Sequence, residues 1–225
     1  MLRIAAVACL FWLVLGCSSP PLPESTLRAY IDAKNAYGHG DFTRSKTGLD
    51  TILKDRPDFF QARFLRAKIE FFTNDLPACQ NDLQRVVLEH PDHLQTRFWS
   101  ALVDAQSERV DAAARRIDDL LALDPQDYRL LYERGLLYLK KGDVKNALDF
   151  FHQASLDEAD LAKPRLEAGR IFYGLGDSAK ALEQLELAKL LVGEHSPLSA
   201  TLDSLVKTVQ TEQKKVLAVK KSKSQ

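Results

Sequence analysis

Prolines stand at positions 57, 91 and 125, each 34 residues after the one before. In that frame a small residue recurs at one position of every unit (Ala33, Ala67, Ala101, Gly135, Gly169) and again 12 residues on (Ser45, Cys79, Ala113, Ala147, Ala181). A large apolar residue follows at Leu49, Leu83, Ile117, Phe151 and Leu185. Self-similarity at a fixed period of this size argues against one central core. Each unit is a supersecondary element that can bury its apolar face only by stacking on its neighbours.

The stretch from Tyr128 to Ala154 shows what one unit is. Leu131, Tyr138 and Leu139 mark one amphipathic helix, and Val144, Leu148 and Phe151 mark a second. Gly142 supplies a left-handed turn residue between them, and Asp143 can cap the amides that open the second helix. The same turn recurs as Gly40-Asp41, Asn74-Asp75 and Gly176-Asp177, and is replaced by Glu108-Arg109 in the third unit. Small residues at Gly135 and Ala147 lie where two closely crossing helices leave no room for a side chain. This order of residues resembles the tetratricopeptide repeat (TPR), a helix–turn–helix unit of about 34 residues. The resemblance implies an all-α fold, a right-handed TPR superhelix or α-solenoid. Its five repeats are 26–59, 60–93, 94–127, 128–161 and 162–195, followed by a capping helix over 196–219 and a basic, disordered tail at 220–225. The helix after Ser196-Pro197 carries Leu198, Leu202, Leu205 and Val209 on one stripe, suited to closing the last apolar face.

Composition fits a folded body, with 45% hydrophobic and 28% charged residues and no strictly alternating β-branched run. Formal net charge is zero, so nothing draws the chain as a whole to nucleic acid, and no nucleic-acid-binding motif is present. The zero hides an asymmetry. Residues 17–206 hold 24 basic and 30 acidic side chains, a net of −6, whereas Lys207 onward holds six lysines and only Glu212.

Residues 1–16 read as a secretory signal: Arg3, an apolar stretch from Ile4 to Leu15 too short to span a bilayer, then Gly16. Val14-Leu15-Gly16-Cys17 resembles a bacterial lipobox, which implies cleavage before Cys17, acylation of its sulfur and attachment to a membrane through that lipid. Residues 17–25, with Pro20, Pro21 and Pro23, form a stiff tether. Ser18 after the cysteine is the residue that, in enteric-type lipoproteins, goes with export to the periplasmic face of the outer membrane. Cys9 leaves with the signal and Cys17 is the lipid site, so Cys79 has no partner for a disulfide within the chain.

No catalytic motif emerges. There is no P-loop, no Gly-x-Ser-x-Gly elbow and no His-Glu-x-x-His, and the histidine pair His90 and His93 lacks surrounding ligands for a metal. The sequence therefore reads as a non-enzyme with no cofactor. In the TPR family the concave groove is lined by the first helix of each repeat, and the resemblance places Tyr30, Phe64, Phe98 and Tyr132 at its fifth position. Lys34, Lys68 and Arg170 fall at the ninth, and Tyr37, Phe71 and Tyr173 at the twelfth. Rings interleaved with cations suit a peptide or helix bearing apolar anchors and acidic groups. The rings equally suit packing against the next repeat. Lys34 and Lys68 occupy the place of a carboxylate clamp, but the asparagines that such clamps use at the ninth position are absent. The expected role is a lipid-anchored scaffold that gathers other envelope proteins or peptides during assembly of a pilus, secretion or outer-membrane complex. The alternative is a groove that holds a small or hydrophobic ligand for a transporter.

Overall fold

Five residues spaced 34 apart, Gly40, Asn74, Glu108, Gly142 and Gly176, hold positive φ between 61° and 78°. Each ends the first helix of a pair and turns the chain into the second. The following amide reaches back to a carbonyl five residues earlier at every turn: Asp41 to Ala36, Asp75 to Glu70, Arg109 to Asp104, Asp143 to Tyr138 and Asp177 to Phe172. This closes the helix ends in the manner of a Schellman turn.

The computed structural model describes residues 21–154, 162–192 and 196–223. These form eleven helices: α1 (Glu24–Gly38), α2 (Phe42–Asp55), α3 (Phe60–Phe72), α4 (Leu76–Glu89), α5 (Leu94–Gln106), α6 (Val110–Leu121), α7 (Tyr128–Lys140), α8 (Val144–Ala154), α9 (Ala162–Gly174), α10 (Ser178–Leu191) and α11 (Pro197–Lys223). No strand occurs among the described residues. The chain divides into two compact units, Met1–Asp58 and Phe59–Gln225. The lipobox and Cys17 lie outside the described residues.

The first unit holds one helix pair. Asp41 accepts from the Arg44 amide at 3.0 Å and so caps α2. Ala33 and Ser45 are both buried where α1 crosses α2. The Ser45 hydroxyl keeps its hydrogen bond there by donating to the Ala33 carbonyl at 2.7 Å.

In the second unit each helix packs chiefly on its neighbours in sequence, α3 on α4, α4 on α5 and so on to α10 on α11. The small residues Ala67, Ala101, Cys79, Ala113, Ala147 and Ala181 are at most 1% exposed, as are Leu83, Ile117, Phe151 and Leu185. Asp75, Asp143 and Asp177 accept from amides three residues on and cap α4, α8 and α10. The third turn departs from the pattern, as the sequence does. Glu108 holds a φ that disfavours side chains, and Arg109 offers no cap. Its guanidinium instead turns back to the buried carboxylate of Asp104, donating at 2.9 and 2.7 Å, and Arg116 donates to the other oxygen at 2.8 Å.

Helix α11 covers the last pair: Leu202, Val206 and Val209 are buried against Leu166, Leu185 and Ala188. It does not stop at residue 219, as the sequence suggests, but continues to Lys223 through residues assigned to a tail. Lysine, valine and alanine tolerate a helix, and lysines near its C-terminus complement the helix dipole.

Candidate functional site

The first helices of the second unit, α3, α5, α7 and α9, carry the positions singled out in the sequence, and the structure separates them into three groups. Phe64 is 8% exposed and belongs to a core cluster with Ala67, Cys79, Leu83, Val86 and Val103. The edge of the His93 ring meets it at 5.0 Å between centroids. Its aromatic surface is spent on packing. His93 and His90 both lie against Phe60, and no group of side chains suited to a metal ion occurs among the described residues. Phe71 is partly buried and meets Trp99 edge-on at 5.3 Å, and the exposed Phe72 meets the same indole at 5.7 Å. The Lys68 ammonium lies 5.4 Å from the Phe64 ring centre and 6.0 Å from that of Trp99. Phe64, Lys68 and Phe71 lie near one another on α3, with the Phe64 ring buried and Phe71 against Trp99.

Tyr173 is placed differently. It is partly buried against α11, and a hydrogen bond to the Glu212 carboxylate raises its pKa, so the cap occupies part of its surface. Arg170 is exposed and donates to Glu167 at 2.9 Å. Tyr30, Lys34 and Tyr37 belong to the first unit. There Lys34 is exposed, Tyr30 and Tyr37 are partly buried, and burial raises the pKa of both phenols.

The third group forms a cleft of 270 Å³ lined by Phe98 and Leu102 of α5, Tyr128, Arg129, Tyr132 and Glu133 of α7, and Lys163 and Pro164 of α9. Phe98 and Tyr132 are brought together here, both partly exposed. Position within the repeat is the same for Phe64, Phe98 and Tyr132, so their different exposures come from their neighbours. Tyr132 leans on Phe151 at 5.7 Å, and burial raises its pKa to about 12, with Glu167 and Glu133 adding to the effect. Arg129 sits 6.0 Å from the centre of the Phe98 ring while donating to both oxygens of Asp127, at 3.0 and 2.6 Å.

Glu133 was not legible as a site residue. It sits one position past the ring in the repeat, and its burial comes from the wall supplied by the next pair. Burial lifts its pKa to about 7, with Lys163 and Lys140 pulling the other way. No hydrogen bond from the described residues reaches its carboxylate. The cleft therefore joins three aromatic rings, an aliphatic floor and a carboxylate without a bonded partner. It contains no nucleophile–base pair. Cys79, the thiol of the second unit, is fully buried with its pKa pushed up to about 12 by desolvation, and serves as packing.

The profile of the tetratricopeptide repeat matches residues 100–160. No curated protein matches the chain. Among solved structures, the thermophilic TPR protein TTC0263 of Thermus thermophilus superposes with a TM-score of 0.68 at 17% identity, over 80% of this chain and 98% of that one. MamA from residue 41 of Desulfovibrio magneticus RS-1 gives 0.61 at 14% identity, over 76% and 97%. The Yersinia enterocolitica type III secretion chaperone SycD, solved with a peptide of the translocator YopD, gives 0.51 at 19% identity, over 54% and 95%. The fold is that of a TPR α-solenoid.

Proposed function

We propose that this chain is a non-catalytic scaffold of the bacterial cell envelope, anchored through a lipid on Cys17 at the periplasmic face of the outer membrane. In this reading it holds a peptide or helix of a partner protein against its first helices. The cleft between α5, α7 and α9 carries the proposal. It is walled by Phe98, Tyr128 and Tyr132, and its 270 Å³ suits one anchoring side chain. The SycD structure, with its YopD peptide, supports the idea that such a fold takes a peptide. The envelope placement is supported by the sequence from Arg3 to Ser18. Among the described residues no helix is long and apolar enough to cross a membrane.

A photo-cross-linking amino acid placed at Leu102, in the cleft wall, tests the first half. It should capture discrete protein partners in intact cells, and the same residue at exposed Leu190 should not. Acyl labelling tests the second half: Cys17→Ser should lose the label and leave the membrane fraction. Equal capture from both positions, or continued labelling, would overturn the corresponding half.

A further inference from the structure

Resting on the protein-binding reading, we infer that the cleft between α5, α7 and α9 selects a basic side chain, a lysine or arginine of the partner segment, seated between the rings with its cation against Glu133. The sequence alone suggested the reverse, an acidic partner drawn to Lys34, Lys68 and Arg170. None of those three lines this cleft, whose own charges point the other way.

Consider where each charge around the cleft is committed. Arg129 is held by both oxygens of Asp127. Arg170 is paired with Glu167 at 2.9 Å. Lys140 lies 3.7 Å from Glu108 and donates to the Ala105 carbonyl. Helix α5 contributes only Phe98 and Leu102 to the lining, which carry no charge. Among the described residues what remains is Glu133 inside and Lys163 at the rim. Lys163 is exposed and makes no ion pair with Glu133.

The cleft thus holds a largely desolvated carboxylate that no described residue hydrogen-bonds, so its charge is poorly compensated by the protein. A guanidinium or ammonium entering between Phe98, Tyr128 and Tyr132 would meet that need and find ring faces that attract cations. The chain already uses one of these walls in this way, with the Arg129 guanidinium over Phe98. A carboxylate guest would meet Glu133 as a like charge, and a purely apolar guest would bury it further without a partner.

Proton uptake distinguishes these guests. With its pKa raised to about 7, Glu133 carries a proton in part of the free protein near neutral pH. A cationic guest requires the carboxylate, so its binding expels that proton and weakens as pH falls. An apolar guest prefers the protonated form and binds more tightly as pH falls.

Random peptides displayed on phage and selected on the full chain provide the probes. Peptides that protect α5, α7 and α9 from hydrogen exchange define cleft binders. Each is remade with citrulline for arginine or norleucine for lysine. At pH 8 the neutral replacement should weaken binding at least tenfold, and Glu133→Gln, nearly isosteric, should cost the parent peptides a similar factor. Affinity of the parents should drop between pH 8 and 5.5, and this pH dependence should vanish in Glu133→Gln. Lys163→Met, at the exposed rim, should tighten the basic peptides. Cleft binders that tolerate the neutral replacement, or that depend on an acidic residue, would overturn the charge assignment and leave the protein-binding reading standing. A selection that yields no peptide protecting these three helices would overturn both.

Discussion

A Cβ placed on Gly135 would lie 2.6 Å from the Cε1 of Phe151, inside the contact distance of any two carbons. The glycine of α7 and the ring of α8 are therefore a matched pair. In the register-equivalent pairs Ala33 with Leu49, Ala67 with Leu83 and Ala101 with Ile117 the small residue gains a methyl and the large one loses a ring. Gly169 with Leu185 instead keeps the glycine, and a Cβ there would lie 2.7 Å from the Leu185 Cγ. Across the three alanine pairs and the Gly135–Phe151 pair, volume is traded between the two positions.

This trade predicts a specific coupling. Gly135→Ala alone should destabilise the second unit by about 1–3 kcal/mol, the usual cost of overpacking. Phe151→Leu alone should also cost stability, because it leaves a cavity beside a glycine. Together they reproduce the pair at Ala67 and Leu83, so the double variant should recover much of the loss. Urea unfolding of the four proteins gives the coupling energy, and strictly additive losses would show that the two residues do not share one space.

How much of this was readable beforehand follows from what each feature depends on. The period, the small–large pairs and the Gly-Asp turns depend on residues within one unit, and all of them stand in the sequence. Features that depend on a neighbouring unit do not. Phe64, Phe98 and Tyr132 share a repeat position, yet His93 closes over the first while the other two stay partly open. Glu133 acquires its apolar surroundings from Leu102, one repeat back, and Pro164, one repeat on. Tyr173 is drawn towards Glu212, 39 positions along the chain in a helix outside the repeat frame. The third turn was legible as an exception, but not its reason, the pull of Asp104 on Arg109.

The cap divides into a working half and a projecting half. From Gln210 onward the described side chains are exposed except for a partly buried Gln213. Ending the chain after Val209 should then cost little, chiefly the solvent-exposed Tyr173–Glu212 hydrogen bond. Removing 196–225 strips Leu202, Val206 and Val209 from the face of α9 and α10, each worth roughly 1.5–3 kcal/mol. The longer deletion should lower the thermal midpoint sharply and promote aggregation, which differential scanning fluorimetry and light scattering would show. Equal behaviour of the two truncations would mean that the buried stripe is not what closes the array.

Stability should also depend on pH through Glu133. In the unfolded chain this carboxyl titrates near its ordinary value of 4.5, and in the fold near 7. Between those values the folded form holds a proton that the unfolded form has released. Stability therefore falls as pH rises through this window, by up to on the order of 3 kcal/mol, and levels off above it. Glu133→Gln should remove this component of the slope and make the protein more stable than the parent at pH 8. Urea midpoints measured from pH 4.5 to 8 for both chains decide the matter, and parallel curves would show that Glu133 is solvated.

The rings at the fifth repeat position should separate in the same way when cut back to alanine. Phe64→Ala removes a core ring with 8% exposure and should cost about 3–5 kcal/mol of stability. Any loss of partner binding would follow from unfolding and disappear at low temperature, where the folded fraction is restored. Phe98 and Tyr132 present part of their surface to the cleft. Phe98→Ala and Tyr132→Ala should each weaken a captured partner by about 1–3 kcal/mol, as anchors at an interface do, in protein that is still folded. The comparison needs both quantities for every variant: a melting curve, and an affinity for a cleft-binding peptide measured well below the melting range. If binding follows stability alike in all three, the rings serve only to pack one repeat on the next. In that case the partner surface moves to exposed Phe72 and the partly buried Trp99 beside it.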